Sequence, residues 1–167
     1  MMTIEYIGNA APDTYGVRLE HLFTYRVGFA LPPEFIGPVP DGVRTNFYLT
    51  GGELEGPRLR GTIRPIGADW LLIRPDGVGL LDMRMTLEAD DGALIFATYQ
   101  GVLDHGEDGF RNALNGSLLP NGTPFQTTPR FHTAHPDYLW LNRLQCVGIG
   151  KVFPEHGEAR CDVYAVR

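Results

Sequence analysis

The sequence predicts an all-β fold, a mostly antiparallel up-and-down barrel of about eight to ten strands with one or two short helical turns. Three observations carry that expectation. Gly supplies 21 residues and Pro 13, and they interrupt the chain too often for long helices. Between the interruptions lie short runs of β-branched, aromatic and aliphatic residues. No alternation of strand and helix patterns is present, so regularly spaced strands point to a barrel or a sandwich. Closure into a barrel is favoured because it removes exposed edges and leaves room inside for one small ligand.

Strands are expected, in order, at Glu20–Ala30, Arg44–Thr50, Arg58–Pro65, Trp70–Arg74, Gly79–Glu88, Ala93–Leu103, Phe125–Thr133, Leu144–Lys151 and Ala159–Val166. The first two are rich in aromatic and β-branched residues. The run Gly51-Gly52-Glu53-Leu54-Glu55-Gly56-Pro57 reads as a bend between strands. It lacks nucleotide-loop spacing and no helical pattern follows it. Arg74-Pro75-Asp76-Gly77 is a Pro-Asp-Gly turn, each residue suited to its position by its φ preference. Ala89-Asp90-Asp91-Gly92 is an Asp-Gly hairpin signal between two alternating runs. The stretch Asp104–Thr123 breaks the rhythm. Within it Asp108–Leu114 reads as one short helix or an irregular loop, and two Asn-Gly turns follow, so the stretch reads as an insertion over a barrel mouth. Pro136–Asn142 reads as a helical turn, and Pro154-Glu155-His156-Gly157 joins the last two strands.

The chain has 167 residues, enough for one domain spanning 1–167 with a real core. Its formal net charge of −6 argues against duplex nucleic acid as a partner. The N-terminus lacks the pattern of a signal peptide, and no apolar run is long enough to span a membrane. A soluble, cytoplasmic protein that engages no membrane is expected. Cys146 and Cys161 are the only cysteines and read as two reduced core thiols. Neither they nor the five scattered histidines show metal-ligand spacing, so neither metal nor organic cofactor is expected. Ser117 is the only serine and lacks the context of a nucleophile elbow.

Side chains alternate between the two faces of a strand. In Gly79–Glu88 this sets Leu81, Met83, Met85 and Leu87 on one face, and Asp82 and Arg84 on the other. Two readings stand: a solvent-facing charge pair, or an inward polar face lining a cavity. Gly67-Ala68-Asp69-Trp70 places a carboxyl beside an aromatic wall. Burial there would raise its pKa and suit it to general acid–base work; the alternative is an Asp that satisfies turn amides. Arg74 braces its turn or holds a carboxylate, either Asp82 or an anionic ligand. Arg130 and His132 share one strand face. Trp140-Leu141-Asn142-Arg143 groups an indole, an amide and a guanidinium, which cradle a planar, oxygenated ligand or lock a helical turn onto the barrel end. Tyr48 and Tyr99 read equally as core aromatics and as pocket hydrogen-bond donors.

Several of these motifs occur in an order that resembles domain-of-unknown-function family 3237. They are Gly51-Gly52-x-x-Glu55-Gly56-Pro57-x-Leu59-x-Gly61, Gly67-Ala68-Asp69-Trp70, Arg74-Pro75-Asp76-Gly77, Leu81-Asp82-x-Arg84 and Asp91-Gly92-Ala93-x-Ile95. The C-terminal half adds Thr128-Pro129-x-Phe131-x-Thr133, Tyr138-x-Trp140-Leu141-Asn142-Arg143 and Val147-Gly148-x-Gly150. The resemblance runs from about Tyr25 to Val166 and implies a small calycin-like β-barrel without supplying a reaction. There are departures, and the Asp108–Asn121 segment matches the family poorly. His132 occupies a position where the family carries an acidic residue, and Met83 stands where the family has Ala. The second is expected to matter less, since it alters only the face opposite Asp82 and Arg84.

Recurrence of these residues in the family's motifs favours an interior polar cluster. The leading expectation is an enzyme acting on a small, oxygenated, cyclic or aromatic metabolite by cofactor-free isomerisation, cyclisation, dehydration or lyase chemistry. Asp69 is then the acid–base, with Arg84 and Arg143 stabilising developing negative charge. Tyr48, Trp70, Arg74, Asp82, Tyr99, Arg130, His132, Trp140 and Asn142 are the expected ligand contacts. A non-catalytic barrel that binds a small ligand, and a structural module stapled by Asp–Arg pairs, are the alternatives. A homodimer is the expected assembly.

Overall fold

The structure is a computed structural model and describes residues 16–117 and 119–167. Its strands are β1 (Leu19–Phe29), β2 (Glu34–Val39), β3 (Gly42–Glu55), β4 (Gly61–Ile73), β5 (Val78–Ala89), β6 (Leu94–Asp104), β7 (Thr123–His132), β8 (Cys146–Phe153) and β9 (Glu158–Val166). One short helix, α1 (Gly109–Leu114), lies between β6 and β7, and 3-10 turns occupy Pro136–Arg143 and Pro154–His156. The sheet order is β1-β9-β8-β7-β6-β5-β4-β3-β2, and β1 also pairs with β3. Eight antiparallel strands therefore close into a barrel, and β2 is an extra strand hydrogen-bonded to β3 alone.

Two expected strands, Arg58–Pro65 and Trp70–Arg74, are one strand, β4. Pro65 does not end it, because the β4 registers with β3 and β5 both shift around that residue. A proline at such a bulge removes no ladder bond. Strand β2 was not anticipated. Its Gly37 and Pro38 argue against a strand, yet both are tolerated on an edge with one neighbour.

The Gly51-Gly52 bend lies within β3 rather than between strands. Gly51 has φ 105°, and here β3 meets β1, with Gly51 opposite Gly28 and Gly52 opposite Val27. A Cβ on Gly52 would stand 2.1 Å from the carbonyl oxygen of Arg26. The glycine pair lets the two backbones approach and close the barrel.

The middle of the barrel is packed with side chains, among them Tyr25, Tyr99, Phe23 and Met85. Tyr25 and Tyr99 meet edge to face at 5.4 Å, and Phe23 meets Phe131 at 5.9 Å. One end is closed by the Pro136–Arg143 turn, whose Leu141 is buried in this core. At the other end a smaller cluster of Val43, Leu71 and Ile73, flanked by Phe47, Leu81 and Phe110, surrounds open space. Cys146 and Cys161 are buried free thiols, and burial pushes them up to about 11 and about 12. No described helix is long and apolar enough to cross a membrane.

Candidate functional site

The open end holds a cavity of about 760 Å³, within the range that takes a small organic ligand. Its wall is mostly aliphatic and aromatic, with Phe29, Phe47, Leu71, Leu81 and Leu103 prominent. Three segments cover its mouth: the β1–β2 loop through Leu31, Pro32 and Pro33, the insertion through Ala113, Gly116, Ser117 and Leu119, and the turn at Pro154–Glu155. The insertion thus lies over a barrel mouth. It is tied to the β8–β9 turn by the Asn121 side chain, which donates to the Glu155 carboxylate at 2.7 Å and accepts from the Glu155 amide at 3.3 Å.

Asp69 is the buried carboxyl of this wall, which Glu155 and Glu158 also line. It shares the inward face of β4 with Leu71 and Ile73 and is buried. The β4–β5 ladder pairs Asp69 with Met83 and resumes only at Leu72 opposite Leu80. In that gap the amide of Asp82 donates to Asp69 Oδ1 at 2.9 Å. The carboxylate replaces a missing backbone acceptor, as a buried amide requires. Among the described residues this is its one hydrogen bond, so Oδ2 is uncommitted. Burial pushes the carboxyl up to about 7. The Asp82 amide works against that rise and the Asp82 charge adds to it.

Thr45 and His105, neither of them an expected site residue, also line the cavity. The His105 ring packs over Gly79, where a Cβ would sit 2.9 Å from Nε2. That nitrogen has no partner among the described residues, and burial holds the imidazole below its ordinary pKa. The sequence signal for this packing was Gly79 itself, a glycine in a strand interior marking a close approach.

The structure does not gather the other expected site residues around Asp69. Asp82 and Arg84 lie on the outer face, paired at 3.2 Å, with Arg84 5.7 Å above the outward-facing Trp70 ring. The expectation of an inward polar face on β5 is corrected: Met83, Met85 and Leu87 are the buried side chains there. Burying that apolar row removes far more nonpolar surface from water than the charged row could, and leaves both ions hydrated. Met83, expected to matter little, faces the interior on the rung of Asp69.

Arg74 pairs with Asp76 and braces its turn. Tyr48 is outside and donates to Glu34 at 2.6 Å. Arg130 and His132 are exposed on β7, His132 lying 6.2 Å from Phe96. Trp140 and Asn142 serve the far end. The Trp140 indole donates to the Asp137 carbonyl at 3.1 Å and lies 4.6 Å from the Arg58 guanidinium. The Asn142 side chain accepts from the Thr133 amide and donates to the Thr133 carbonyl, each at 2.8 Å. Arg143 is exposed beside it. Tyr99 points inward but is sealed in the core, its hydroxyl unpartnered among the described residues. Also at the far end, Asp91, His135 and Asp137 bring possible metal-ligand atoms within 4.8 Å of one another. Two of their groups are already engaged: Asp91 accepts from Tyr138 and His135 from the Asp137 amide.

Comparison with known proteins places this architecture. A protein from Rhodopseudomonas palustris named as a UPF0311 protein is 34% identical over 113 residues, covering 67% of this chain and 74% of its own length. A crystal structure from Acinetobacter baumannii described as a beta-barrel like protein is 31% identical, with a TM-score of 0.77 over 95% of this chain and 99% of that one. A structure described as an enzyme from Penicillium herquei shares the fold at 20% identity, with a TM-score of 0.68 over 95% of this chain and 100% of that one. The model of the protein-of-unknown-function family DUF3237 matches residues 17–166, nearly everything from β1 to β9, and by that match this barrel chain belongs to the DUF3237 family.

Proposed function

We propose that the protein is an enzyme that acts on a small molecule inside the barrel mouth, with Asp69 as its general acid–base. The observation that carries this reading is a buried carboxyl in the wall of an apolar cavity, anchored through one oxygen and uncommitted at the other. A carboxyl with its pKa near 7 is present in both protonation states at neutral pH, and so both donates and accepts a proton during turnover. Oδ2 carries the proton; Oδ1 stays on the Asp82 amide and keeps the group oriented. The chemistry that fits is proton transfer at an oxygenated, cyclic or aromatic substrate: isomerisation, cyclisation, dehydration or elimination. Arg84 and Arg143 have no part in it, because both stand on the outer surface. Thr45 and His105 are among the polar groups of the cavity wall available to orient a substrate oxygen.

A second reading, a binding barrel without turnover, is favoured by one observation: apart from Asp69, Thr45, His105, Ser117, Glu155 and Glu158, the cavity wall is apolar. One experiment separates the two. Wild-type protein and Asp69→Asn are incubated with metabolite extracts, and the products are compared by mass spectrometry. The enzyme reading expects an isomeric or dehydrated product from wild type alone, with both proteins folded. Equal product from the variant would remove Asp69 as the acid–base. A ligand retained unchanged by both proteins would establish the binding barrel.

A further inference from the structure

We propose that the cavity selects its ligand by charge: it admits an uncharged, largely apolar molecule that turns one hydroxyl or carbonyl toward Asp69, and it rejects the anionic form of the same framework. The inference rests on the cavity being the working site and names the class of molecule that fits it.

The titratable side chains lining the cavity are Asp69, His105, Glu155 and Glu158. Three are acids. Among the described residues no Arg or Lys lines it. Of the arginines on the neighbouring strands, Arg26 and Arg160 are held by Glu158, Arg84 and Arg74 pair with Asp82 and Asp76, and Arg44 donates to the Trp70 carbonyl. His105 does not replace them, since its burial disfavours the imidazolium. A carboxylate, sulfonate or phosphate entering here would shed its hydration and find no countercharge, a cost that apolar contacts do not repay. At the inner end it would also meet Asp69, repelling it whenever that carboxyl is ionised. An uncharged framework loses nothing of this kind. It buries its apolar area against Phe29, Phe47, Leu71 and Leu81 and offers its one oxygen to Oδ2 of Asp69. Ligands that would have to bring a phosphate, sulfonate or carboxylate inside the cavity are thereby disfavoured.

The test uses two fluorescent probes with the same aromatic frame, one neutral (N-phenylnaphthylamine) and one carrying a sulfonate (anilinonaphthalene sulfonate). Each is titrated into the wild-type protein, into Asp69→Asn and into Ala113→Trp, which fills the mouth from α1. The neutral probe should bind at least about tenfold more tightly than the sulfonate, Ala113→Trp should weaken it, and Asp69→Asn should narrow the gap between the probes. Equal affinity for the two probes in a manner blocked by Ala113→Trp would overturn charge selection and leave the cavity as a ligand site. Binding of neither probe, or binding untouched by Ala113→Trp, would overturn the cavity itself as the site and the proposed function with it.

Discussion

The amide of Asp82 is hydrogen-bonded to the carboxylate of Asp69 at 2.9 Å, at the point where the β4–β5 ladder is interrupted. The two residues face opposite ways: Asp69 into the cavity, the Asp82 side chain to the outer surface. One backbone N–H thus fixes the direction of a buried acid, while burial, helped by the half-buried carboxylate of the same Asp82, makes that acid harder to ionise. The gap in the ladder supplies the anchor for Asp69, and burial, against which that hydrogen bond works, raises its pKa.

Stability should record that proton. The Asp69 carboxyl has its pKa raised from 3.8 to about 7 in the fold. Between those values the native state holds a proton that the unfolded chain has released, so this group's contribution is full below the unfolded pKa and falls as pH rises through the folded one. The total swing is at most about 4 kcal/mol. Asn keeps an oxygen for the Asp82 amide and does not ionise. Chemical denaturation from about pH 5 to about pH 8 should show Asp69→Asn gaining on wild type as pH rises. A constant difference across that range would mean that the carboxyl is not desolvated.

Arg84→Ala and Arg143→Ala should leave ligand binding and turnover unchanged, because both guanidiniums are on the outside. The Asp82–Arg84 pair is largely solvated, so stability should move by no more than about 1 kcal/mol. Loss of activity in either variant, with the fold intact, would place these arginines in the mechanism after all.

Asn142→Ala should destabilise the far end of the barrel without touching the cavity. The change removes two hydrogen bonds that clamp Thr133 to the 3-10 turn, together worth about 1–2 kcal/mol. Thermal unfolding reads the loss. Unaltered probe affinity in the folded variant distinguishes a structural clamp from a ligand contact.

The closure seam predicts an asymmetry between glycines. Gly52→Ala would press a Cβ to 2.1 Å from the Arg26 carbonyl oxygen, and backbone cannot yield as a flexible side chain does. A loss of about 3 kcal/mol or failure to fold is expected. Gly92→Ala has open space around its Cβ, and its φ of 86° leaves only backbone strain, about 1 kcal/mol. The two midpoints in urea give the comparison.

Local rules made most of the architecture readable in advance. Glycine and proline punctuation, the Pro-Asp-Gly and Asp-Gly turns, and the alternation within Gly79–Glu88 state where strands run and which side chains share a face, because those depend on neighbouring φ, ψ and a period of two. The same rules failed where a partner strand overrode them. Pro65 survives inside β4 because its neighbours shift register, and Gly51-Gly52 bends β3 without ending it. Asp69 stands out by its place beside Trp70, and eleven other candidates rest on residue type, strand-face alternation and the motifs of the resembling family. Ten proved to lie outside the barrel interior or at its far end, and Tyr99 inside its core. His105 reads only as one of five scattered histidines, since nothing near it in the chain shows that Gly79 lies beneath its ring. Periodicity says only that Asp82 and Met83 point in opposite directions. Which of those directions is the inside, and whether the inside is filled or hollow, is set when β1 meets β3 and side chains from eight strands compete for one enclosed volume.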